Sequence, residues 1–392
     1  MARSVPPATD PAPGSAPGST SSLRAANQHR VLAVLREQGE QQVAHTQAEI
    51  ARLTGLAPAT VSNIVRDLTA GGLLDIEPGS GRRGSAVRLS ARAGIVAGID
   101  FGHRHVAVAV GDLTGRVLSE ERVIVEPQGH ESGLGLAASV LARIDPGVGP
   151  LRRVSLGLPA PVVNNVVKSS AIFPGWEGVD ARAAAEAVFG APAQVENDAN
   201  LGALAEHRQG HGRGHRTSVF VKIASGVGAG LIIDNQLFHG ADGIAGEIGH
   251  LTVDEQGPMC RCGSRGCLET YTSSEHMLRL VDPSLPGATF TDLVAAATNG
   301  NVAATRVLED AGLRLGWALA SVLNLLNPGI VIVGGAMSRA GELLLEPTRT
   351  GLRRHALDSV AQTPIVISKL GERASLVGAV QLAAERTELV TG

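Results

Sequence analysis

Three different spacings of apolar residues follow one another along the chain, and each predicts a different kind of element. From Leu23 the apolar positions fall on one helical face, with Val31, Leu32, Val34 and Leu35 together. A second helix is predicted from Thr46, where Thr46 and Glu49 have the spacing of a capping box and Ile50 and Leu53 are expected to face inward. Gly55 then makes a short turn, and Pro58 opens a third helix as its first residue. Helix, tight glycine turn, helix is the layout of a helix-turn-helix.

In the third helix Val61, Ile64, Val65 and Leu68 form the inward stripe. That leaves Ala59, Thr60, Ser62, Asn63 and Arg66 outside, and short hydroxyls, an amide and an arginine suit the edges of DNA bases in a groove. Two short apolar runs follow, Leu73 to Ile76 and Ala86 to Leu89, around a glycine-rich loop carrying Arg82 and Arg83. They predict a hairpin with a basic tip, a wing.

From Gly94 the texture changes to strand, glycine turn, strand, turn, strand, and then to alternating helices and strands, the α/β pattern. TSVFVKIASGVGAGLIIDNQLFHG repeats strand, glycine-rich turn, strand in the second half. Two such halves suggest a duplication, with a ligand held in the cleft between two lobes.

Composition refines this picture in four places. Residues 1–20 are mostly Pro, Ala, Gly and Ser without periodicity and are expected to be a disordered tail. No run is apolar enough for a membrane span and nothing resembles an export signal, so a cytoplasmic protein is expected. The net charge of −3 argues against a wholly basic nucleic-acid coat but permits a local basic patch. All the cysteines, Cys260, Cys262 and Cys267, fall in one short stretch, which fits a metal site better than a disulfide framework.

GIDFG from Gly98, ENDAN from Glu196, SGVGAG from Ser225, GEIGH from Gly246, CRCGSRGCLE from Cys260 and NPGIVIVGGAM from Asn327 together resemble the ROK family of repressors, open reading frames and kinases. The resemblance implies an actin-like, duplicated ribonuclease-H-like body over residues 93–392. Ahead of it, residues 21–92 look like the winged helix-turn-helix of the family's transcriptional repressors.

Within residues 250–267, His250, Cys260, Cys262 and Cys267 supply one imidazole and three thiolates, the closed shell of a structural Zn2+. Asn197, Asp198, Glu247, His250 and Glu269 would line the sugar pocket, with His250 serving both metal and pocket. In the kinases of the family the residue matching Asp198 is the general base. Their first glycine turn reads D-x-G-G-T, whereas this chain has His103 and Arg104 in the last two places. IFPGWEGVD, from Ile172, resembles the loop over the sugar, with Ile172 where many kinases carry Asn.

The expected function is a DNA-binding transcriptional regulator of the repressor type and not an enzyme. Its partners would be double-stranded operator DNA and a sugar or sugar-phosphate effector, and it would act as a homodimer or homotetramer. The alternative is an ATP-dependent sugar kinase with an accessory DNA-binding head.

Overall fold

The computed structural model describes residues 20–36, 45–77, 85–126, 129–168 and 173–389. The chain divides into two compact units, Met1–Gly94 with Arg386–Gly392, and Ile95–Glu385. The expected tail lies outside the described residues as far as residue 19, and Thr20 already begins a helix.

The first unit contains α1 (Thr20–Arg36), β1 (His45–Thr46), α2 (Gln47–Thr54), α3 (Pro58–Ala70), β2 (Leu74–Glu77) and β3 (Ala86–Leu89). Thr46 caps α2 as its spacing predicts. Its hydroxyl accepts from the Glu49 amide, while the Glu49 carboxylate accepts from the Thr46 amide. Val31, Leu32 and Leu35 of α1 meet Ile50, Val61, Ile64, Val65 and Leu68 in one core, closed by Leu74 and Val87. Leu53 does not join it; this side chain is 54% exposed. The buried arc of α2 is centred on Ile50 and Ala51, and at about 100° per residue Leu53 falls on the far side of Ile50 from Ala51. The hairpin β2–β3 is antiparallel, and β1 adds to β3 as a third strand that the apolar pattern did not announce. Arg82 and Arg83 lie outside the described residues. The end of the chain returns here: Arg36 donates to the Thr387 carbonyl, and Leu389 packs on the core.

The second unit begins with β4 (Ile95–Gly102), β5 (His105–Gly111) and β6 (Val117–Ile124), then α4 (His130–Ile144), β7 (Leu151–Leu158) and a small hairpin of β8 (Val162–Val163) and β9 (Val166–Val167). After α5 (Ala181–Phe189) come β10 (Ala193–Asn197) and α6 (Asp198–Gln209). The second half repeats the scheme with β11 (Ser218–Ile223), β12 (Val227–Ile233) and β13 (Gln236–Leu237). A helical insertion follows, α7 (Glu269–Thr272), α8 (Ser274–Val281), α9 (Phe290–Thr298) and α10 (Val302–Leu326). β14 (Ile330–Gly334), α11 (Glu342–His355), β15 (Ile365–Ile367) and α12 (Ala374–Arg386) complete the unit up to Glu385.

The first sheet has the order β6-β5-β4-β7-β10 and the second β13-β12-β11-β14-β15, the same order in each half counted along the chain. The pairings match too: the three leading strands are antiparallel and the two that follow are parallel. This repetition is the duplicated architecture the resemblance implies. β4 is central and buried on both faces, so it reads as a continuous apolar run, whereas edge strand β6 alternates half-buried and exposed residues. Gly98 of β4 leaves room for α12, where Val380 fills the space a side chain would take.

Candidate functional site

The carboxyl ends of the leading strands of both halves open on one cleft of about 650 Å³. Asp100 comes from the end of β4, His105 from the start of β5, and Asn197 and Asp198 from the junction of β10 and α6. Lys222, the turn Ser225–Gly228, Glu247, His250, Arg261 and Glu269 come from the second half. All five residues expected to line a sugar pocket, Asn197, Asp198, Glu247, His250 and Glu269, are therefore on one cleft wall set.

Local structure fixes each of them. Asn197 is the N-cap of α6, its side-chain oxygen accepting from the amides of Ala199 (2.8 Å) and Asn200 (3.3 Å). Asp198, next in the chain, sits at the positive end of the helix. Glu269 is buried and spends one oxygen on the Val227 amide (3.0 Å) and the other on Arg261 (2.7 Å). Glu247 carries no such ties; burial, with Asp198 and Glu269 nearby, pushes its carboxyl up to about 7. A metal ion on His250 would act in the opposite direction.

His250, Cys260, Cys262 and Cys267 converge, their ligand atoms all within 4.8 Å of one another. Cys260 Sγ lies 3.7 Å from His250 Nδ1, and Cys262 Sγ lies 3.7 Å from Cys267 Sγ. Ligands about 2.3 Å from a tetrahedral ion stand about 3.8 Å apart, so the group has the spacing a metal needs. With Nδ1 towards the sulfurs, Nε2 of His250 is the nitrogen 4.0 Å from Glu247. Arg261, between two of the cysteines, also donates to the Ser225 carbonyl (2.8 Å), joining the cysteine loop to the second glycine turn.

At the first glycine turn the His105 ring covers Gly102. His103 Nε2 lies 3.3 Å from Glu275, and Arg104 pairs with Glu126. His105 Nε2 is 3.0 Å from Asp100 Oδ2, while Arg122 approaches His105 Nδ1 at 3.2 Å. Arginine can only donate, so Nδ1 accepts and the Nε2 hydrogen points to Asp100. Lys222 reaches the same place from β11, 2.8 Å from Asp198, 3.6 Å from Asp100 and 2.9 Å from the Ser375 hydroxyl. Burial works against the Asp100 carboxylate, but Lys222 and the His105 hydrogen bond hold it well below the usual carboxylate range. Burial also opposes the Lys222 ammonium, yet the two aspartates keep its pKa above the ordinary lysine value. Asp198 is raised by burial against the pull of Lys222.

The sequence reading missed Lys222, His105, Arg122 and Arg261. Only Lys222 left a signal, as one of three lysines in the chain and a single charge inside the apolar run SVFVKI. Ile172 lies outside the described residues, but the loop after it is anchored: Trp176 is fully buried, stacked on Phe173 and packed against Phe101.

On the third helix, Ser62, Asn63 and Arg66 are exposed and Thr60 is half-buried, while Val61, Ile64, Val65 and Leu68 are inside. Arg66 donates to the Asn63 side chain at 2.9 Å.

Residues 96–386 match the model of the ROK family, which is three-quarters of the sequence. The chain belongs to the ROK family. Ahead of that ROK region, residues 23–84 match the MarR family model. A ROK-region relative, glucokinase from Streptomyces coelicolor, is 31% identical over 74% of this chain and 98% of its own length. The xylose repressor of Caldicellulosiruptor bescii is 28% identical over 86% of this chain and 91% of its own length. A crystal structure of a ROK family transcriptional regulator, a homologue of the E. coli MLC protein, matches with a TM-score of 0.77 over 94% of this chain and 98% of that one, at 24% identity.

Proposed function

We propose that this protein is a sugar-responsive transcriptional repressor. One observation carries the reading: a single chain joins a winged-helix unit with an exposed polar reading face on α3 to a cleft lined by hydroxyl-accepting side chains. Thr60, Ser62, Asn63 and Arg66 would read base edges, and Arg82 and Arg83 would contact phosphates or the minor groove. Asn197, Asp198, Glu247, His250 and Glu269 would take the sugar hydroxyls. Zn2+ held by His250, Cys260, Cys262 and Cys267 would leave no open coordination position, so its part is to hold the loop that carries the sugar ligands. Xylose is the first candidate effector, from the name of the relative matched over most of both chains. The protein would work as a homodimer on a pseudo-palindromic operator, with the sugar acting through a difference in affinity for the DNA-competent and incompetent states.

The glucokinase relatives and the presence of Asp198 favour a second reading, an ATP-dependent sugar kinase. His103 and Arg104 weigh against it, because they stand where the family's kinases carry a glycine and a threonine hydroxyl for a phosphate, and His105 covers Gly102 beside them.

Both readings meet in one set of measurements. Fluorescence anisotropy with DNA from upstream of the protein's own gene, titrated with xylose, glucose and their phosphates, is expected to give sugar-dependent release at constant salt. Sugar phosphate formed from ATP and magnesium, lost in Asp198→Asn, would establish the kinase instead. DNA binding indifferent to every sugar would end the repressor reading.

A further inference from the structure

Lys222 is placed by more of the fold than any sugar-facing group. It lies within β11 among buried apolar residues, and its cross-strand partners are Gly228 on β12 and Gly334 on β14. Neither neighbour has a side chain to crowd the lysine stem, and Phe220 covers the space over Gly334. The lysine ammonium meets Asp198 at the start of α6 (2.8 Å), Asp100 at the end of β4 (3.6 Å) and Ser375 in the first turn of α12 (2.9 Å). Ser375 is itself oriented, its hydroxyl donating to the Asp198 carbonyl at 2.8 Å. Of the ammonium's three N–H donors two have acceptors within hydrogen-bond distance, Asp198 and Ser375, whereas Asp100 Oδ1 is buried without a hydrogen bond and meets the ammonium as a charge.

Two buried carboxylates facing one point do not both stay ionised without a cation between them. In this cleft the cation is part of the chain. We propose that Lys222 is a resident cation, its ammonium holding the point between Asp100 and Asp198 that a divalent metal ion would otherwise occupy. The cleft therefore takes its sugar with no accompanying metal–nucleotide. Asp198 is held as an ion-paired hydrogen-bond acceptor, so a proton taken from a sugar hydroxyl would have to displace the ammonium. This inference rests on the sugar-binding reading only for the identity of the ligand.

Zinc-loaded full-length protein in magnesium-free buffer near pH 8 provides the test. Mn2+ titration followed by electron paramagnetic resonance is expected to detect no cleft-bound ion in the wild type. Lys222→Met is expected to gain one equivalent of Mn2+ and to lose it again when combined with Asp100→Asn. If circular dichroism shows Lys222→Met unfolded, Lys222→Gln, which keeps a donor for Asp198, takes its place. A cleft-bound Mn2+ in the wild type, or no gain in a folded variant, overturns the proposal. In parallel, wild-type affinity for D-xylose or D-glucose by calorimetry should stay within twofold when Mg2+ and ATP are added; a tenfold change overturns it. If the wild type binds neither sugar, the sugar reading fails, and the Mn2+ result alone decides the role of Lys222.

Discussion

Arg261 stands between two of the clustered cysteines, yet its guanidinium is spent on Glu269 and the Ser225 carbonyl. A buried carboxylate with a charge-assisted partner loses roughly 1.5–3 kcal/mol when that partner is removed. Arg261→Ala should accordingly keep its zinc, read by elemental analysis, while sugar affinity falls about tenfold or more by calorimetry. Unchanged affinity would mean that Glu269 holds its place without help. On the DNA side, Asn63 is exposed on α3 and orients Arg66. Asn63→Ala is expected to cost about 1–3 kcal/mol of operator binding and to relax sequence preference, while binding to unrelated DNA stays nearly constant. Equal loss on both kinds of DNA would assign Asn63 to backbone contact.

In the cysteine loop the position of one residue depends on the backbone freedom of its neighbour. Gly266 has φ of 61°, and a Cβ there would run into the Asp254 carbonyl, so the turn that brings Cys267 to the other ligands is open only to glycine. Cys260→Ser, Cys267→Ser or Gly266→Ala should each lower zinc content, reduce the melting temperature and blunt the sugar response together. Full zinc and normal sugar response in the two serine variants would separate the loop from the cleft. Elements governed by neighbours in the chain were legible beforehand: the Thr46–Glu49 cap, the α3 stripe and the cysteine spacing all depend on residues a few positions apart. Elements made by distant partners were not. β1 is two residues long and exists because β3 pairs with it. Leu53 carries the right periodicity but faces out, because α2 buries the other flank of Ile50. Likewise Lys222, His105 and Arg261 acquire meaning only once strands and loops far apart in sequence share one cleft.

At the scale of the molecule, the repeated sheet order explains the position of the cleft. In each half the leading strand ends at a glycine-rich turn, and the two turns contribute Gly102 and Ser225–Gly228 to the same cavity. None of the described helices is long and apolar enough to cross a membrane. The whole chain is needed for the repressor reading, since on that reading sugar and DNA would bind different units and only their joint response would regulate. Stopping the chain after Glu385 removes the Thr387 carbonyl that Arg36 uses and the Leu389 side chain that covers the first core. That truncation is expected to lower the melting temperature and weaken operator binding, with sugar affinity kept within twofold. Unimpaired DNA binding would make the last residues dispensable.

The chain passes between its two units twice, after Gly94 and after Glu385. A protease cut within either passage leaves both pieces tethered by the other, so a nicked protein should still migrate as one species until it is denatured. For the same reason a fragment ending at residue 94 is not the first unit in isolation but that unit with its final strap missing, and grafting such a fragment onto another sensor would transfer an incomplete head.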